Sequence, residues 1–84
     1  MDKPILRLLS VVDEQGKLVG MMTHHQSANQ RSVGAYYPLT EGSHYLHHCD
    51  YPSLEESTAV IAKHLLDDVG EVRFILADSY QLKE

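Results

Sequence analysis

PSLEESTAVIAKHLLDDVG, residues 52–70, decides the fold, because it is the one stretch whose apolar spacing is helical and whose two ends are both marked. Ser53 followed three residues later by Glu56 is a capping box, in which each residue can satisfy a free backbone N–H of the first turn. Leu54, Thr58, Ile61, Leu65 and Val69 recur at three- and four-residue spacing, with Ala62 and Leu66 widening the stripe, and Gly70 suits a C-terminal stop. One face of this helix is built for burial.

What precedes it reads as strands. HYLHHCDY (44–51) runs into the helix cap, and VGAYYPL (33–39) lies before it, separated by the turn residues TEGS. Further back, PILRLLSVV (4–12) and LVGMMTH (18–24) flank DEQGK, where Gly16 supplies a positive φ, so they form a hairpin. HQSANQRS (25–32) has no apolar period and reads as a mobile surface loop. EVRFILADSY (71–80) is a last strand with Val72, Phe74 and Leu76 on one side.

The order β-β-β-β-α-β, over residues 1–84 as a single α+β domain, implies a two-layer sandwich: a mostly antiparallel sheet of four to five strands with one helix on one face. One helix cannot cover both faces. If Leu6, Leu8 and Val12 point toward the helix, alternation sends Ile5, Leu9 and Val11 outward beside Arg7, and an exposed apolar face of that kind marks an interface. The expectation is a homodimer through Ile5, Leu9 and Val11, or a partner docked on that face, the alternative being a sheet that curls and buries both sides.

Composition narrows the function classes. At 84 residues a chain buries only about 60% of its unfolded surface, so the core is small and leaves little room for a deep pocket. No apolar run approaches the roughly 20 residues that cross a bilayer, and Arg7 interrupts the N-terminal one, which reads as a strand and not a signal peptide. One cysteine allows no internal disulfide, which suits a reducing cytoplasm. Seven Lys and Arg, scattered, do not make a phosphate-binding stripe, so direct nucleic-acid binding is not expected. The net charge of −5 is unevenly placed: residues 1–40 hold four cations against three anions, residues 41–84 three against nine.

HYLHHCDYP (44–52) gathers three histidines, the only cysteine and an aspartate. By type His47, His48 and Cys49 suit zinc, and His24 joins them if strands two and four run parallel and bring their C-terminal ends to one rim. Spacing argues against it, because His47 and Cys49 project to one face and His44, His48 and Asp50 to the other. A Cys–His nucleophilic pair is also poorly served, since Cys49 and His47 are about 7 Å apart by backbone spacing. The cluster reads first as an ordinary strand, and no enzyme activity is expected.

The acidic residues carry the functional reading. Asp67 and Asp68 stand in the last helical turn, where the macrodipole is negative and an anion costs about 0.3–1 kcal/mol. Lys63 and His64, four residues earlier, offset part of that cost. With Glu55, Glu56, Glu71 and Asp78 they outline an acidic face suited to a basic surface on a protein partner. The chain therefore reads as a small acidic interaction module, an inhibitor or regulator by charge mimicry, in the manner of phage anti-defence proteins such as anti-CRISPR inhibitors. It needs no cofactor in that role. Two alternatives stand beside it. One is a zinc-binding or metal-sensing domain on His24, His47, His48 and Cys49. The other rests on a resemblance: the element order and DYPSLEES ahead of the helix, over about half the chain, resemble HicB-type antitoxins, whose sheet-and-helix domain neutralises a small toxin.

Overall fold

The computed structural model describes residues 3–29, 31–42 and 44–82. Its elements follow the expected order: β1 (Ile5–Val12), β2 (Leu18–Gln26), β3 (Ser32–Pro38), β4 (Tyr45–Cys49), α1 (Leu54–Val69) and β5 (Arg73–Gln81). The five strands form one sheet in the order β4-β3-β2-β1-β5, every pairing antiparallel, with α1 against one face. The architecture is the expected α+β layering of one helix on an antiparallel sheet. Gly16 has φ 81°, the left-handed turn value that closes the β1–β2 hairpin. Pairing of Gln26 with Ser32 carries the β2–β3 ladder to the very ends of the segment expected to be a loop. No helix among the described residues is long and apolar enough to cross a membrane.

Cross-strand register sorts the side chains into rows. On the helix side the rows are Ile5–Gln26–Ser32–Cys49, then Arg7–His24–Gly34–His47, then Leu9–Met22–Tyr36–Tyr45. Leu6, Leu8, Thr23, Val33, Ala35, Leu46 and His48 lie on the other side. The assignment of β1 is thus the reverse of that expected. Leu9 and Val11 are 3% and 0% exposed and belong to the core with Met22, Tyr36, Ile61 and Leu65, and Ile5 shares their face, half-buried. They are not a dimer surface. The cause is Arg7, whose guanidinium marks no solvent face: it reaches His24 and Gln26 at a corner of the helix side that α1, lying over β3, β4 and part of β2, leaves open. The helix-free face is nonetheless largely apolar, with Leu46, Ile75 and Tyr37 exposed.

A bulge on β5 matters for the charges. Leu8 pairs with Asp78 and Leu9 with Leu76, so Ala77 is the extra residue and the strand changes facing there. Phe74 and Leu76 share the helix side, while Asp78 and Tyr80 share the open side with Leu8 and Leu6.

The helix presents Leu54, Ser57, Ile61 and Leu65 to the sheet, a narrower stripe than the sequence suggests; Leu66 and Val69 are 51% and 37% exposed. Two glycines make the approach possible. A Cβ on Gly34 would lie 2.8 Å from Ser57 Cβ, and one on Gly20 would strike the Tyr36 ring. The N-terminal cap forms by half: Ser53 Oγ accepts from Glu56 N–H at 3.1 Å, but the Glu56 carboxylate turns away toward β4. At the other end Gly70, φ 79°, donates its N–H to Leu66 C=O at 3.2 Å.

Ser53→Ala should lower stability by about 1 kcal/mol through loss of the one formed half of the cap. Chemical denaturation measures it, and an unchanged midpoint would mean that Ser53 does not hold the helix start.

Candidate functional site

Where β4 turns into the helix, three chemically different side chains meet. His47 and Cys49 are two residues apart on one strand and so share the helix-side face, His47 half-buried and Cys49 6% exposed. The first turn of α1 passes above them, and Glu56 extends downward. Its Oε2 accepts from Cys49 Sγ at 2.7 Å and lies 3.4 Å from His47 Nε2, while Tyr51 Oη donates to Oε1 at 2.9 Å. Those hydrogen bonds, from Cys49 first and then Tyr51 and His47, hold the Glu56 carboxyl below its ordinary value of 4.5. In return Glu56 pushes the Tyr51 phenol up. Ser32 Oγ donates to Tyr51 C=O at 3.1 Å and fixes the corner from the sheet below.

The adjoining row is also polar. His24 is fully buried, and its Nδ1 lies 3.3 Å from Arg7 Nη1. A guanidinium only donates, which assigns Nδ1 as the acceptor in a neutral ring with its hydrogen on Nε2. Burial first, and the Arg7 charge second, hold the His24 pKa below 6.5, and a hydrogen bond with the Ser53 backbone opposes the shift. Ser57 Oγ, beside Gly34 in the same layer, is buried with no partner among the described residues.

Of the four metal candidates read from sequence, the structure brings together His47 and Cys49 only. His48 sits opposite Val33 on the other face of the sheet, and His24 is engaged by Arg7 two strands away. The third donor is Glu56, which the sequence presents as a capping-box partner. A ring nitrogen of His47, Cys49 Sγ and a Glu56 oxygen all lie within 4.8 Å of one another. The donor set of nitrogen, sulfur and oxygen suits a zinc-like ion. No Cys–His hydrogen bond forms, since both side chains address Glu56 instead.

The acidic residues divide. Glu56 is occupied at the β4 corner. Asp78, on the open sheet side, accepts from Tyr80 Oη at 2.6 Å and from Ser79 N–H at 2.8 Å, which keeps its pKa low, and it is no extension of the helix acids. Glu55 and Glu71 are exposed, Glu71 beside Val72. Asp67 and Asp68, by contrast, meet Glu41 around a cleft of about 460 Å³ whose apolar wall is Val19, Tyr36, Pro38, Leu65 and Val69. Tyr45 Oη donates to Asp68 Oδ2 at 3.2 Å, and the Tyr45 ring stacks on His64 at 4.9 Å. Glu41 has no helical or strand spacing to single it out; only the return of the β3–β4 connection toward the helix end brings it here.

No protein-family model, curated protein or solved structure matches the chain, so its likeness to HicB-type antitoxins rests on element order and DYPSLEES alone.

Glu56→Ala removes the side chain lying against Sγ. In metal-free protein, alkylation of Cys49 by iodoacetamide should quicken several-fold in this variant, with the fold retained by circular dichroism. An unchanged rate would place the Glu56 carboxylate elsewhere.

Proposed function

We propose that the chain is a non-enzymatic interaction module that inhibits or regulates a protein partner by occupying a basic surface on it. The observation that carries this reading is the cleft at the C-terminal end of α1. Glu41, Asp67 and Asp68 line it, no Lys or Arg among the described residues lines it, and the last helical turn contains no basic residue. The helix C-terminus adds its own partial negative charge to the same place. An arginine or lysine side chain fits such a cleft in both its parts: the aliphatic stem lies along Tyr36, Leu65 and Val69, and the cationic head meets the carboxylates.

Like-charged groups gathered at a helix end that already disfavours them lower the stability of the isolated chain, and a cationic partner relieves that strain. Charge complementarity of this sort mainly speeds encounter and selects partners. The acidic surface is therefore narrower than six scattered carboxylates: its centre is Glu41, Asp67 and Asp68.

The reading predicts that a hexa-arginine peptide binds at about 0.05 M salt and shifts the amide resonances of Glu41, Asp67 and Asp68 more than those of Glu55, Glu71 or Asp78. Asp67→Lys/Asp68→Lys should weaken binding at least tenfold while melting at the same or a higher temperature, and about 0.5 M salt should have a similar effect on the wild type. Shifts spread evenly over all carboxylates, or affinity indifferent to both changes, would contradict it.

A further inference from the structure

The corner where β4 meets α1 holds an arrangement that the interaction reading does not use. We propose that His47 Nε2, Cys49 Sγ and a Glu56 carboxylate oxygen bind one zinc-class divalent ion, with a water as the fourth ligand.

Distances set the first argument. From ordinary zinc bond lengths, a tetrahedral shell separates nitrogen from oxygen by about 3.3 Å and sulfur from oxygen by about 3.5 Å. His47 Nε2 and Glu56 Oε2 already stand 3.4 Å apart. Cys49 Sγ and Oε2 stand closer, at 2.7 Å, and a small rotation of the partly exposed Glu56 side chain opens that edge. A His47 ring nitrogen, Cys49 Sγ and a Glu56 oxygen fall within 4.8 Å of one another, so side-chain rotations that draw them inward complete the shell.

Orientation is the second. Tyr51 Oη holds the other oxygen of Glu56, an outer partner of the kind that aims a ligating carboxylate. Ser32 secures Tyr51 through its backbone carbonyl, and the Ser53 cap fixes the helix turn that carries Glu56. The carboxylate is thus presented by a braced corner and not by a mobile loop.

Chemistry is the third. Thiolate and imidazole together select zinc or cobalt over magnesium or calcium. On binding, the Cys49 thiol gives its proton to solvent and a metal–sulfur bond forms; thiolate and carboxylate together neutralise the two positive charges of the ion. Side-chain exposures of 22% for His47 and 40% for Glu56 leave a path for the ion and room for the water. Three protein ligands and one open position characterise a reactive or sensing site more than a purely structural one.

The test is titration of untagged, chelator-stripped protein with cobalt(II) and then zinc(II). One equivalent of cobalt should give a thiolate-to-cobalt charge-transfer band that zinc displaces, and zinc should raise the melting temperature by roughly 5 °C or more. Cys49→Ser should abolish the charge-transfer band, His47→Ala should weaken cobalt binding at least tenfold, and Glu56→Gln should weaken it without unfolding the chain. Asp67→Lys/Asp68→Lys should leave the band intact, which separates this site from the acidic cleft. Absence of the band at stoichiometric cobalt in folded wild-type protein, or its persistence in Cys49→Ser, would overturn the proposal.

Discussion

The helix can reach the sheet because Gly34 has no side chain. Ser57 lies against the β3 backbone at that point, where an added Cβ would come within 2.8 Å of Ser57 Cβ. From this contact the rest follows along α1. Glu56, one residue earlier, falls over His47 and Cys49 on β4, while Ile61 and Leu65, one and two turns later, join Leu9, Met22 and Tyr36 in the core. Gly20 serves the other end in the same way, by leaving space for the Tyr36 ring.

Two chemically different halves lie beneath one helix. Toward its C-terminus the layer is apolar and ends in the acid-rimmed cleft; toward its N-terminus it contains His24, Ser32, Ser57, His47 and Cys49. Burying a polar group without a partner costs about 1–3 kcal/mol, and Ser57 Oγ is buried with no partner among the described residues. A small domain has little stability to spare for such groups. Polar side chains thus gather under the N-terminal half of the helix, with His24 two strands away from the β4–α1 corner where His47, Cys49 and Glu56 meet.

The sequence disclosed the helix, both of its ends, the succession of elements along the chain and the shared facing of His47 and Cys49, since each depends on local spacing or on one cap residue; the place of β5 beside β1 depends on long-range pairing and was not legible. It misled on β1, where apolar residues occupy both alternating sets and only Arg7 seemed to distinguish them. Arg7 sits on the helix side but beyond the edge of the helix, a circumstance set by the lateral position of α1 and invisible in a strand pattern. Glu56 was hidden for a related reason. A serine and a glutamate three residues apart predict a reciprocal cap, whereas the carboxylate here has three competing donors on β4 and the β4–α1 turn. The clue was present in the short interval from Cys49 to Glu56, which folds a strand end under the first helical turn. Asp78 was grouped with the helix acids because nothing in the sequence announces the bulge at Ala77, and Glu41 escaped notice because its position depends on the path of a connection.

The close contact of Gly34 with Ser57 is open to a double-mutant cycle by chemical denaturation. Gly34→Ala alone should destabilise the chain by roughly 2 kcal/mol, the cost of forcing a methyl into a filled layer. In a Ser57→Gly background, itself weakened by about 1 kcal/mol as a helical glycine, the same alanine should cost much less, giving a coupling of roughly 1 kcal/mol or more. Equal penalties in the two backgrounds, or no penalty in either, would contradict the account that this contact seats the helix and assembles the corner beside it.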